Sequence, residues 1–119
     1  MNRKCGVLFD LDGVFYISNQ AIDGGQKLID SLRNKSIPFR FLTNTTTKTR
    51  KDICEKLGDI GLHVKENEIF SAAYIGINYL RSIGSPPCYL LIHEGIYSDY
   101  SEFDSHNRRP EFEIGRAHV

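Results

Sequence analysis

Continuous apolar runs and helical spacings alternate along the chain. Cys5 to Asp10 carries Val7, Leu8 and Phe9 in a row and ends in an acid, which predicts a short buried strand. Gly24 to Asn34 sets Leu28, Ile29 and Leu32 at helical spacing. Pro38 to Thr43 predicts a second strand, with Phe39 and Phe41 on one face and Leu42 on the other. Lys48 to Leu57 predicts a helix carrying Ile53, Cys54 and Leu57, ended by Gly58 and Gly61. Ala72 to Ile83 predicts a third helix with Ile75, Tyr79, Leu80 and Ile83, and Gly84-Ser85-Pro86-Pro87 a turn. Cys88 to His93 completes the series as a third strand. This order predicts right-handed crossovers in a parallel sheet with helices on both faces, an α/β fold. Ligands of such sheets sit at the carboxyl ends of the strands. The residues that matter therefore follow each strand: Asp10-Leu11-Asp12-Gly13, Thr43-Asn44-Thr45 and His93-Glu94-Gly95.

Composition narrows the function. With 119 residues the chain holds at most one short domain. Fifteen basic residues balance fifteen acidic ones, so there is no general pull toward nucleic acid or an anionic membrane. Apolar runs of about five residues fall far short of the roughly 20 needed to span a bilayer. Basic Met1-Asn2-Arg3-Lys4 is followed by too short an apolar stretch for a secretory signal. Cys5, Cys54 and Cys88 are odd in number and far apart, and they form no metal or disulfide pattern. The expectation is a cytoplasmic protein, with the nucleus also open, and cysteines packed as small apolar residues.

Asp10 and Asp12 are the candidate reactive pair. A carboxylate at the end of a buried strand is expected to be poorly solvated and to face the ligand crevice. Two such charges about 4 Å apart repel by roughly 4 kcal/mol at an effective dielectric near 20. A divalent cation or a shared proton relieves that. Gly13 permits a tight turn and close approach of backbone to ligand. Thr43 and Asn44, ahead of a helix, supply hydroxyl, amide and N–H groups suited to a phosphoryl group.

Phe9-Asp10-Leu11-Asp12-Gly13-Val14 resembles the first motif of the haloacid dehalogenase (HAD) superfamily, and Phe41-Leu42-Thr43-Asn44-Thr45-Thr46 resembles its second. The spacing and the Asn after the Thr are similar to subfamily IIA, the branch of phosphoglycolate, pyridoxal phosphate and nitrophenyl phosphatases. Phe39-Arg40-Phe41 and Tyr89-Leu90-Leu91-Ile92-His93-Glu94-Gly95 extend the likeness, which covers residues 4–112. The resemblance implies a Rossmannoid three-layer sandwich and a phosphatase that forms an aspartyl-phosphate. It makes Asp10 the nucleophile and a Mg2+ ligand. It makes Asp12 the general acid/base, with its carbonyl on the metal. Leu11, Thr43 and Asn44, with both acids, then bind a small phosphorylated substrate: a phosphoamide, pyrophosphate or small phosphomonoester. No nucleic acid or membrane partner is expected, and the branch dimerises largely through its cap.

Two further family motifs, a phosphoryl-neutralising Lys and an acidic metal cluster, match no segment. Lys48, Lys51, Lys56 and Lys65 precede the last predicted strand, and Asp99, Glu102 and Asp104 lie in a polar tail. The reading is the first half of a core, residues 1–112, with the cap domain missing. Residues 113–119 form a separate tail, because Ile114-Gly115-Arg116-Ala117-His118-Val119 reads as the translation of a sequencing-library adapter. The alternative is that these residues are native. The competing function is a non-enzymatic partial chain that binds phosphate or metal weakly or docks on another subunit. A calcium loop fits poorly, since Gly13 is fourth in the acidic run where an EF-hand needs it sixth. A phospho-acceptor receiver domain also fits worse. Thr45, Thr46 and Thr47 are expected as turn and cap residues, and His63, His106 and His118 on the surface. Tyr97, Tyr100 and Phe103 are expected either to pack on a missing cap or to lie exposed.

Overall fold

A computed structural model of the chain describes residues 5–115. Met1 to Lys4 and residues 116–119, with His118 and most of the adapter-like tail, lie outside the described residues. The chain divides into two compact units. The first runs to Thr43 and resumes over Arg50–Ser71, and the second joins Asn44–Thr49 to the residues from Ala72 onward.

The first unit is built on a parallel sheet of β1 (Val7–Asp10), β4 (Phe39–Thr43) and β5 (Ile69–Ser71), in that order. A small antiparallel hairpin, β2 (Tyr16–Ile17) and β3 (Gln20–Ala21), follows β1. Helices α1 (Gly25–Asn34) and α2 (Arg50–Asp59) make the two crossovers. The strands run in sequence order across the sheet, so right-handed crossovers bring both helices to one face. Val7, Phe9, Phe39, Phe41, Thr43, Ile69 and Ser71 share that face by register. Ile29 and Leu32 of α1, Ile53 and Leu57 of α2, and Leu62 close over it in one cluster. Aromatic rings lock its centre: Phe15 meets Phe9 and Phe41 edge-on, each at 5.1 Å. Arg33 of α1 pairs with the buried Glu68 at 2.6 Å, and the Glu68 carboxylate also accepts from Lys65 N–H at 2.8 Å. That fixes the entry to β5.

The second unit holds α3 (Ala72–Ser82), β6 (Cys88–Leu91), α4 (Tyr97–Tyr100) and β7 (Phe112–Gly115). β6 and β7 pair in parallel, Cys88 with Phe112 through Leu91 with Gly115. Ala73, Ile77, Leu80, Cys88, Ile96, Tyr100 and Phe103 form a separate core. The Tyr100 hydroxyl donates to the Ala73 carbonyl at 2.5 Å across the space that Gly76 leaves open. Burial raises the Tyr100 phenol above its ordinary range.

Several expectations change. The third strand of the first sheet is Ile69–Ser71, and Cys88–Leu91 belongs to the second unit's own sheet. Three residues carry too little pattern to be seen in a sequence. α3 buries Ala73, Ile77 and Leu80, while Ile75, Tyr79 and Ile83 are exposed, so the opposite stripe faces the core. Leu28 is likewise exposed. Tyr100 and Phe103 are core residues, and Tyr97 alone of the three is exposed. Cys5 is exposed and Cys54 half-buried; Cys88 alone of the three is buried.

The other face of the first sheet carries Leu8, Asp10, Arg40 and Leu42, and Leu8 is 69% exposed. β1 is also an edge of that sheet, with unpaired backbone groups on its outer side. The purified chain is therefore expected to self-associate at micromolar concentration, and Leu8→Lys to disperse it. Sedimentation velocity decides: equal association of both proteins would remove β1 as the sticky edge.

Candidate functional site

The site begins where β1 ends. Asp10 pairs in register with Leu42, and the next residue, Leu11, donates its N–H to the Leu42 carbonyl at 3.1 Å. Leu11 and Phe15 are then buried at 1% and 2% exposure, while Asp12, Gly13 and Val14 between them are exposed. The loop is thus pinned at two apolar anchors and presents Asp12 between them. Gly13 has φ +77°, which glycine adopts without steric cost, and its N–H donates to the Tyr16 carbonyl at 2.9 Å.

Both carboxylate oxygens of Asp12 are engaged. Oδ2 accepts from the Thr43 hydroxyl at 3.2 Å, and Oδ1 accepts from the Tyr16 phenol. Thr43 is itself buried at the carboxyl end of β4. Asp10, Leu11, Asp12 and Thr43 therefore meet at the carboxyl ends of two paired strands. Asn44 follows Thr43 in the chain and belongs to the second unit. Asp10 lies on the open face and is exposed, against the expectation of a poorly solvated carboxylate. The reason is that α1 and α2 of the first unit both pack on the opposite face, away from Leu8, Asp10 and Leu42.

Two residues escaped the sequence reading. Tyr16 reaches Asp12 from the β2 hairpin, and Lys56 of α2 lies 4.9 Å from its ring centroid. Ser71 ends β5 in register with Thr43 and is 1% exposed. An alternating pattern ahead of Tyr16 would have signalled the hairpin, but two-residue strands show none. Thr45 to Thr47 do not cap α2, which starts at Arg50. His63 and His106 are on the surface, as expected.

Asp10 and Asp12 offer hard oxygen donors of the kind Mg2+ takes, usually one or two carboxylates with water and substrate oxygens completing the shell. Among the described residues no group of three His, Cys, Asp or Glu side chains is placed to hold a metal ion. The chain therefore fits part of a Mg2+ shell. Among the described residues no helix is long and apolar enough to cross a membrane.

Comparison with known proteins gives the family and the fold. The profile of the haloacid dehalogenase-like hydrolases matches residues 7–106, and the chain belongs to that family. It is 37% identical over 95 residues to chloroplastic phosphoglycolate phosphatase 1A of Arabidopsis thaliana, covering 77% of this chain and 26% of that protein. It is 33% identical over 106 residues to human phospholysine phosphohistidine inorganic pyrophosphate phosphatase, covering 86% and 39%. A hypothetical protein of Pyrococcus horikoshii superposes with a TM-score of 0.75 at 32% identity, over 82% of this chain and 38% of the other. The NagD protein of E. coli K-12 has the same fold, with a TM-score of 0.79 at 24% identity over 97% and 46%. The chain thus spans between about a quarter and two fifths of these curated relatives.

The Tyr16 phenol is pushed up to about 12, first by burial and then by the Asp12 carboxylate it bonds. A raised phenol contributes stability that is fully present below its unfolded value of about 10 and is lost as pH rises through the folded value. In Asp12→Asn the Tyr16 midpoint is expected to fall but to stay above about 10, since burial remains. Titration of ring-labelled tyrosine by NMR reads this directly. An unchanged midpoint would mean that the phenol does not meet Asp12.

Proposed function

We propose that this chain carries the nucleophile half of a Mg2+-dependent phosphatase that works through an aspartyl-phosphate. The support is the hydrogen bond from Thr43 to Asp12, which joins the two sequence motifs at the strand ends beside Asp10. An Asp10 carboxylate oxygen attacks phosphorus, and the P–O or P–N bond to the leaving group breaks. Asp12, held by Tyr16 and Thr43 with lone pairs to spare, gives the leaving group its proton. It then takes a proton from the water that attacks the phosphorus of the aspartyl-phosphate, and inorganic phosphate departs with Asp10 restored. Thr43, Asn44 and the Leu11 backbone bind phosphoryl oxygens. Mg2+, held by the Asp10 carboxylate and the Asp12 carbonyl, would neutralise their charge. The substrate is a small phosphoamide, pyrophosphate or phosphomonoester.

The family resemblance inserts a cap after the third strand of the core sheet. Here β5 is that strand, and α3 to β7 follow it as a unit with its own core. We read this second unit as the opening of such a cap, most of which this chain lacks. Substrate choice then rests on residues outside it, as do the neutralising Lys and the acidic metal cluster.

A phosphate dianion facing Asp10 meets two repulsions of roughly 4 kcal/mol each at an effective dielectric near 20. Leaving about 8 kcal/mol unopposed costs near six decades of rate, at roughly 1.4 kcal/mol per decade. The 119-residue chain is therefore expected to show little or no hydrolysis of p-nitrophenyl phosphate with Mg2+. It should still bind inorganic phosphate weakly, with amide shifts at Asp10 to Gly13 and Asn44, and Asp10→Asn should bind it more tightly at the same place because the repelling charge is gone. Binding elsewhere, or none, would sink the site. Rapid turnover would sink the half-core reading.

A second reading, a chain that docks on another subunit, draws on the open β1 edge and the exposed Leu8. It predicts no phosphate-linked shifts at Asp10.

A further inference from the structure

The His93-Glu94-Gly95 turn is the sequence feature that the phosphoryl site leaves unused. It lies in the second unit, just after β6. The His93 ring starts a short 3-10 turn: its Nδ1 accepts from the Gly95 N–H at 2.9 Å. Gly95 then rests against the loop of residues 44–49, which belongs to the same unit. A β-carbon at position 95 would overlap the Thr47 carbonyl oxygen. It would also stand 3.3 Å from the Thr47 carbonyl carbon and 3.0 Å from His93 Nδ1. The obstacle on the loop side is backbone, so no side-chain rotation relieves it. Only glycine permits so close an approach.

The loop has room to yield. A cavity of about 270 Å³ lies beside it, lined by Thr46, Thr47, Ile92, His93, Ile96 and Tyr100 among others. Extra bulk at position 95 can thus displace the loop without crushing the core beneath. The segment concerned is the one that opens with Asn44. Its anchor is in the second unit, although Thr43, the residue before it, ends a strand of the first.

We propose that Gly95 is a positioning residue: by admitting the Thr47 carbonyl against its Cα, it fixes the loop of residues 44–49 and so sets Asn44 for phosphoryl binding. What Asn44 binds rests on the proposed function, whereas the setting of the loop does not.

The test uses the 15N-labelled chain with Mg2+ and inorganic phosphate as the probe. Gly95→Ala is expected to move the amide resonances of residues 45–48 and to speed their hydrogen exchange at least tenfold. Phosphate-linked shifts at Asn44 should weaken at least tenfold, while those at Asp10 to Gly13 persist. A merely structural residue would not split the two. Gly58→Ala serves as control, because a β-carbon there meets nothing within 4 Å. His93→Ala adds no bulk but removes the acceptor for the Gly95 N–H, and the same loop amides should exchange faster. Unmoved loop amides in folded Gly95→Ala would overturn the proposal. So would loop shifts without weaker binding at Asn44. Should Gly95→Ala fail to fold, unchanged exchange in His93→Ala would overturn it. A wild-type chain that binds no phosphate would defeat the proposed function, and the loop amides would still decide whether Gly95 sets the loop.

Discussion

The register of β1 against β4 decides where the chemistry sits. Asp10 opposite Leu42, with Leu11 N–H bonded to the Leu42 carbonyl, puts Thr43 one step beyond the end of β1. That is the level at which Asp12 turns back. A slip of β4 by one residue would send Phe39 and Phe41 to the open face and carry Thr43 out of the core. The aromatic cluster of Phe9, Phe15, Phe39 and Phe41 forbids the slip. The residues that bury the most apolar surface thus hold the two acids in place. Burying a large side chain contributes about 1.5–3 kcal/mol, so the register rests on several such terms at once.

The division of the chain falls at two strand ends. One cut falls between Thr43 and Asn44 and another between Ser71 and Ala72. Both follow strands of the first sheet directly, at the ends where a ligand would lie. The second unit contributes no strand to the sheet that carries the acids.

Much of the first unit was legible in the sequence because its signals are long or chemically singular. The run Val7-Leu8-Phe9-Asp10, the alternation of Phe39 and Phe41, and the spacing of Ile29 and Leu32 each survive in the structure. The pair of acids beside Gly13 stood out because nothing in a solvated loop requires it. What stayed hidden was short or non-local. β5 has three residues, and its burial comes from neighbours far away in the chain. The stripe of α3 was misread because Ile75, Tyr79 and Ile83 are the larger apolar residues, yet Gly76 and Ala73 let Tyr100 approach on the other side. Small residues mark that contact face, and hydrophobicity alone does not show it. Tyr16 was invisible for a similar reason: its partner Asp12 is near in sequence, but only the hairpin turns the phenol toward it.

The open face of the first sheet and the exposure of Asp10 have one cause. Both crossovers run the same way from β1, so α1 and α2 cover a single face and leave Leu8, Asp10 and Leu42 on the other. A carboxylate in water is well solvated and a poor nucleophile toward a phosphate dianion; removing water from both is what a closed site supplies. The same exposed face is apolar around Asp10, as a surface awaiting cover would be. Covering Leu8 and Leu42 would bury apolar area and desolvate Asp10 in a single step. Under the proposed function, covering that face and raising the reactivity of Asp10 are one physical event.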